Sequence, residues 1–193
     1  VLLSMSRMNR IISVDPARFS ATVEAGCTVE QVQQAAAAVD RQLGMDWGAR
    51  GTAPIGGAVS TNAGGLNVLR YGTTRDSVLG LEAVLASGEV FEGLRALRKD
   101  SSGYDLKQLF IGGEGTLGVV TRVVLKLYPR QDHHRTFFAA IAELEQVHDL
   151  YEQACALDHG GLTAFELVPE AGVAGTVESF GVVRPMETRS DWY

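Results

Sequence analysis

The stretch from Gly48 to Gly72, GARGTAPIGGAVSTNAGGLNVLRYG, limits the possible folds of this chain more than any other. Gly48, Gly51, Gly56, Gly57, Gly64, Gly65 and Gly72 interrupt it, with Thr52, Ser60, Thr61 and Asn62 between them. Glycine tolerates positive φ and carries no Cβ, so backbone of this kind can pass close to a ligand. Gly56-Gly57 followed by AVSTNA predicts a loop that turns into a short helix. A helix start aims unpaired N–H groups at whatever lies before it, which suits a phosphate. Within this stretch no Lys follows the glycines and no GxGxxG occurs, so it is neither a P-loop nor a Rossmann fingerprint. These residues spell a backbone-built anion site for a dinucleotide, and they equally spell a glycine-rich surface loop that binds nothing.

A second glycine-rich stretch weakens the empty-loop reading. In LRKDSSGYDLKQLFIGGEGTLGVVTRV (Leu97–Val123), Gly112, Gly113, Gly115 and Gly118 surround Glu114 and Thr116, and a β-branched run follows directly. Two such segments, each joined to a regular element, suggest two sides of one bound ligand. The net charge of −6 removes any electrostatic case for nucleic acid or an anionic membrane. No apolar run approaches the roughly eighteen residues of a membrane span, and the start, VLLSMSRMNRI, lacks the pattern of a signal or transit peptide. Cys27 and Cys155 have neither CxxC nor metal spacing and read as two reduced thiols of a cytoplasmic protein. His133 and His134 are adjacent and diverge on an extended backbone, so no metal site is expected.

STNAGG with LRYG, followed by RKDSSGYDLKQLFIGGEGTLGVVT, resembles the flavin-linked 2-hydroxy-acid dehydrogenases. This family includes D-lactate dehydrogenase, the flavin subunit of glycolate oxidase and D-2-hydroxyglutarate dehydrogenase. The resemblance implies an α+β fold. An FAD-binding domain of the vanillyl-alcohol-oxidase type, incomplete at its N-terminus, fills residues 1–130, and the beginning of a ferredoxin-like substrate or cap domain fills 131–193. It places a first pyrophosphate-binding loop upstream of Val1 and the catalytic and metal-binding residues beyond Tyr193, so no catalytic residue is assigned and the chain is expected to be a fragment.

The cofactor implied is FAD. Its implied contacts are Gly51, Thr52, Ile55, Gly56 and Gly57 at the first loop, then Thr61, Asn62, Ala63, Gly64, Gly65 and Gly72 toward the flavin or its ribityl chain. Glu114, Gly115, Gly118, Val119 and Val120 form a second wall, with the backbone near Val119 and Val120 meeting the adenine half. Glu114 is open to either FAD contact or a capping role. Arg70 and Tyr71 are open to a substrate carboxylate or to structural pairing. Lys99, Asp100, Tyr104 and Asp105 are expected to brace the loop before Gly112.

Along the chain, VLLSM, RIISVD (Arg10–Asp15) and FSATVEA (Phe19–Ala25) predict strands. Thr28 predicts an N-cap with Gln31 at the capping-box position, and Val29, Val32, Ala35, Ala36, Val39 and Leu43 recur at helical spacing until Gly44. Ser77–Ala86 and Glu89–Glu92 predict a hairpin, Asp105–Ile111 two helical turns capped by Asp105, and Val119–Tyr128 a core strand. Beyond Arg130, a strand at Phe137–Ile141, a helix at Glu143–Leu157 and a strand at Leu162–Leu167 are expected.

The function implied is oxidation of a D-2-hydroxy acid of the lactate, glycolate or 2-hydroxyglutarate class, by hydride transfer to flavin. Electrons would leave for a quinone, a cytochrome or another flavoprotein, and no nicotinamide fingerprint competes for that role. A second reading is a non-catalytic FAD-binding module or companion subunit of such an enzyme.

Overall fold

The computed structural model describes residues 3–158 and 160–193. The chain divides into two compact units, Val1–Gln131 and Asp132–Tyr193.

Unit 1 is an antiparallel sheet with helices. Its strands are β1 (Ile11–Asp15), β2 (Ser20–Glu24), β3 (Arg41–Leu43), β4 (Val78–Leu85), β5 (Val90–Gly93) and β6 (Gly118–Pro129). Their order is β1-β2-β6-β4-β5, with β3 pairing with the far end of β6 through Leu43 and Leu127. The helices are α1 (Val29–Ala37), α2 (Ile55–Thr61), α3 (Val68–Tyr71) and α4 (Thr74–Ser77).

The register explains which residues form the core. Val23 pairs with Val123, which pairs with Leu81, and Ala21 pairs with Leu125, which pairs with Val78. All six are buried, and they pack with Val29, Val32 and Ala36 of α1 and Ile55, Ala58 and Val59 of α2. Each large aliphatic removed from water in this way contributes about 1.5–3 kcal/mol. One step along the pleat, Glu24, Arg122 and Glu82 stand in line on the opposite face. Arg10 donates to Glu24 (Nη2–Oε1 2.7 Å), and Arg122 Nη1 lies 3.1 Å from Glu82 Oε2. Val124 shares that face and is also buried, which is why the Val/Leu run of β6 does not alternate. It is the middle strand, flanked by β2 and β4.

The capping box of α1 forms as read: Gln31 N–H donates to Thr28 Oγ1 at 3.2 Å, and Thr28 N–H to Gln31 Oε1 at 2.8 Å. The helix is shorter than its apolar period suggests. It ends at Ala37, Asp40 turns the chain with φ 60, and Leu43 is buried from a strand. An Asp accepts the left-handed conformation more readily than most residues, and a buried Leu satisfies either pattern. Leu3–Met5 is not a strand, and residues 1 and 2 of that expected element lie outside the described residues. Asp105–Ile111 holds a single 3₁₀ turn, Leu106–Leu109. Asp105 makes no cap bond there; its carboxylate accepts from Lys107 Nζ (2.6 Å) and Gln108 Nε2 (3.0 Å), which holds it below the usual carboxylate range.

Unit 2 contains α5 (Gln146–Asp158) and α6 (Glu170–Phe180). The strands expected at Phe137–Ile141 and Leu162–Leu167 are absent among the described residues. Ile141 and Pro169 each make one isolated bridge to Trp192. An alternating pattern supplies side chains for a sheet face but no neighbour for the backbone to pair with. The unanticipated α6 starts after Pro169 and ends at Gly181 (φ 63); its Gly172 and Gly175 weaken the helical signal. Glu170 accepts from Arg184 (Nη1–Oε1 3.1 Å) and from the Tyr193 hydroxyl (2.8 Å), and Tyr193 stacks on Phe138 at 4.9 Å. Among the described residues no helix is long and apolar enough to cross a membrane.

Candidate functional site

Unit 1 holds a cavity of about 610 Å³, within the range of small-molecule and cofactor sites. The first glycine segment supplies Thr52, Pro54, Gly56, Gly57 and Ser60 to it; the second supplies Gly115, Gly118, Val119 and Val120. Gly26 and Thr28, from the turn between β2 and α1, and Leu3–Ser6 complete it. The lining carries hydroxyls and apolar groups and no charged side chain.

The two glycine segments meet because the second one docks on the end of α2. Gly112 N–H donates at 3.0 Å to Val59 O, which also accepts from Asn62 N–H, and Glu114 N–H donates to Ser60 O at 2.9 Å, so the second segment caps the last carbonyls of the helix. Glu114 is exposed and left-handed (φ 49), so its backbone performs the capping. Past it, Gly115 (φ 78) has open space where a Cβ would stand, and such backbone can be approached closely.

The start of α2 does not present the row of unpaired donors expected from its glycines. Ile55 N–H donates to Cys27 O (2.8 Å) and Gly56 N–H to Ala25 O (2.7 Å). At α1, Val29 N–H donates to Ala53 O and Glu30 N–H to Arg50 O, both at 3.1 Å. A bridge between Thr28 and Pro54 zips the two loops together, and the first two donors of each helix are spent within the chain. The phosphate-cradle expectation is therefore corrected at Ile55 and Gly56. Ile55 is fully buried in the core, and a Cβ on Gly56 would meet that of Ala25 at 2.7 Å.

Of the other residues singled out in the sequence, none lines the cavity. Gly51 is exposed beside Glu30. Thr61 Oγ1 donates to Gly57 O (2.9 Å), and Asn62, the left-handed C-cap of α2, accepts at Oδ1 from Arg75 N–H (2.9 Å). Ala63 O accepts from Thr74 N–H (3.0 Å) and Thr74 Oγ1 (2.7 Å). Gly64 is exposed. Gly65 (φ 123) lets Asp46 O approach, and Gly72 (φ 75) lets the Asp76 carboxylate cap Thr73 N–H at 2.9 Å.

Tyr71 is buried, takes a 2.6 Å bond from Gln42 Nε2 and packs on Tyr128 at 4.6 Å, which gives it a structural role. Tyr104 is 95% exposed, while Asp100 receives Arg95 Nη1 at 3.2 Å.

The sequence reading assigned no ligand role to Leu3–Ser6, Gly26, Thr28, Pro54 or Ser60. Gly26 carried a usable signal: a glycine between a strand and a capping box, where a Cβ would lie 2.0 Å from Met5 O.

A family model described as an FAD binding domain matches residues 1–93. The chain is 38% identical over 194 residues to the D-2-hydroxyglutarate–pyruvate transhydrogenase of Saccharomyces cerevisiae, an alignment spanning 100% of this chain and 39% of that protein. It is 44% identical over 169 residues to the mitochondrial D-2-hydroxyglutarate dehydrogenase of Danio rerio, spanning 87% of this chain and 32% of the relative. A solved structure of alkyldihydroxyacetonephosphate synthase superposes with a TM-score of 0.59 at 26% identity, over 67% of this chain and 23% of that one. The chain thus spans about a third of the length of the curated relatives it matches. The cytoplasmic placement read from two isolated cysteines is overturned: the Danio rerio relative carries a mitochondrial name, and unpaired cysteines are as compatible with any reducing compartment.

Proposed function

We propose, for a chain that belongs to the FAD-linked 2-hydroxy-acid dehydrogenases with a vanillyl-alcohol-oxidase type FAD domain, that the whole protein oxidises a D-2-hydroxy acid of the 2-hydroxyglutarate class to its 2-oxo acid. The observation that carries this reading is the meeting of two glycine-rich segments, distant in sequence, on one uncharged cleft. FAD, when bound, supplies the two-electron acceptor.

The residues of unit 1 hold and orient that cofactor. A neutral lining of Pro54, Val119, Val120 and hydroxyls fits the flat ring of a nucleotide better than a pyrophosphate, since no cation offsets an anion there. Thr52, Gly57, Gly115, Gly118, Val119 and Val120 are its contacts in this reading, with Gly56 contributing closeness of backbone. In this reading Gly51, Thr61, Asn62, Ala63, Gly64, Gly65, Gly72 and Glu114, which do not line the cleft, shape the loops and the helix end that carry its walls. The substrate is a small 2-hydroxy acid, and the electrons pass on to a quinone, a cytochrome or a flavoprotein.

Two measurements on the purified whole protein test this. Flavin absorption bands retained through desalting, and bleached by D-2-hydroxyglutarate under anaerobic conditions, are the expected result. Retained flavin that D-2-hydroxyglutarate leaves oxidised refutes the substrate class, and absence of retained flavin after FAD addition refutes the site.

A further inference from the structure

We infer that Arg75 is the positioning residue that holds one wall of the cleft against the other, an inference that rests on the FAD reading above. Arg75 lies in α4, half-buried, and does not line the cavity. Its N–H donates to Asn62 Oδ1 at 2.9 Å, tying α4 to the left-handed end of α2. Its guanidinium spans two carbonyls of the second segment: Nη1 donates to Gln108 O at 3.1 Å and also to Gln108 Oε1, and Nη2 donates to Ile111 O. One residue therefore joins the end of α2 to the 3₁₀ turn and to the residue that opens the glycines.

Gly112 sits in the angle so formed. Its φ is +79, and a Cβ there would stand 3.4 Å from both Arg75 Nη2 and Asn62 Cβ. From Gly112 the backbone crosses the end of α2 through the bonds to Val59 O and Ser60 O. Ser60 lines one wall and Gly115 begins the other, so the position of Ile111 and Gly112 sets where the second wall starts. A planar fork of fixed donors can serve two separated carbonyls at once; a Lys ammonium is a single point that reaches one of them. Because Arg75 is off the lining, its removal acts through the geometry of the cleft and not through a lost contact with FAD.

The test compares R75A, R75K and V32A in the whole protein. Val32 is fully buried in α1 and does not line the cavity, so V32A lowers stability without touching the latch. FAD affinity is read by quenching of flavin fluorescence on titration into apoprotein, and the melting temperature of each apoprotein is recorded alongside. The expected result is an FAD Kd raised about tenfold or more in both Arg75 variants, with 106–118 cut faster by protease, while V32A melts lower yet keeps its Kd within about twofold. Kd values for R75A and R75K within twofold of wild type overturn the inference and leave the FAD reading standing. So does a V32A Kd that rises in step with its loss of stability. Failure of both Arg75 variants to fold also overturns it, since Arg75 would then belong to the fold at large. Wild-type protein that binds no FAD refutes the FAD reading itself.

Discussion

Gly26→Ala is a demanding test of how the cleft is built. Gly26 N–H donates to Met8 O at 2.7 Å, and a Cβ at this position would lie 2.0 Å from Met5 O and 2.7 Å from Met8 O. Ordinary carbon–oxygen contacts are about 3.3 Å or longer, so the turn at Met5–Met8 must retreat by more than about 1 Å. Both targets are backbone atoms, so no side-chain rotation relieves the clash. Overpacking of this kind costs about 1–3 kcal/mol, and loss of the hydrogen bond to Met8 O adds about 1 kcal/mol. The sum, about 2–4 kcal/mol, corresponds to a fall in melting temperature of roughly 6–20 °C for a domain of this size. Thermal unfolding followed by circular dichroism, with urea titration for ΔΔG, reads it. Gly48→Ala is the control, because a Cβ there meets nothing within 4 Å, and it is expected within about 0.5 kcal/mol of wild type. FAD affinity should fall with G26A as well, since Leu3–Ser6 line the cavity. A G26A protein within about 0.5 kcal/mol of wild type, or a G48A protein equally destabilised, refutes the reasoning.

Thr28→Ala removes the acceptor for Gln31 N–H and is expected to cost about 1 kcal/mol in urea unfolding; no loss would mean that Gln31 and the neighbouring loop cap α1 unaided. The Arg10 guanidinium, through its hydrogen bonds to Glu24, holds that carboxyl below its usual value of 4.5. Glu24 therefore contributes stability above about pH 4.5 that is lost as the pH falls through its folded-state value. E24Q should accordingly show a flatter acid limb in a stability–pH profile, and an unchanged limb would exclude the pair as its source. Cys155 is exposed, whereas burial pushes the Cys27 thiol up. Alkylation mapped by peptide mass spectrometry should label Cys155 in the native protein and Cys27 only after denaturant; fast labelling of Cys27 would contradict its burial.

Much of unit 1 was legible because its signals are local. The capping box at Thr28 needs only the residues of one turn, and the β4–β5 hairpin and β6 need only a β-rich pattern bounded by Ser87-Gly88 and Pro129. The end of α1 was not legible, because Leu43 is buried equally well from a helix or from β3. In unit 2 the patterns at 137–141 and 162–167 promised strands, yet among the described residues the first makes only the Ile141 bridge to Trp192 and the second forms no strand. Arg75 carried no signal at all: in TTRDS it reads like any surface arginine.

The sequence by itself pointed to backbone, not side chains, as the builder of the proposed site, since glycine is the residue that lets a main chain approach another object without a Cβ between them. It also determined the cofactor class, through two long motifs in the right order. Only the tertiary structure decided what those glycines approach. Gly56 meets Ala25, Gly65 meets Asp46 O and Gly72 meets Asp76, whereas Gly115 faces open space. At the start of α2, which looked like an anion site, the Ile55 and Gly56 donors are taken by the Cys27 and Ala25 carbonyls. A buried N–H takes whichever acceptor the fold brings to it, and that partner lies across the fold, out of reach of any local pattern.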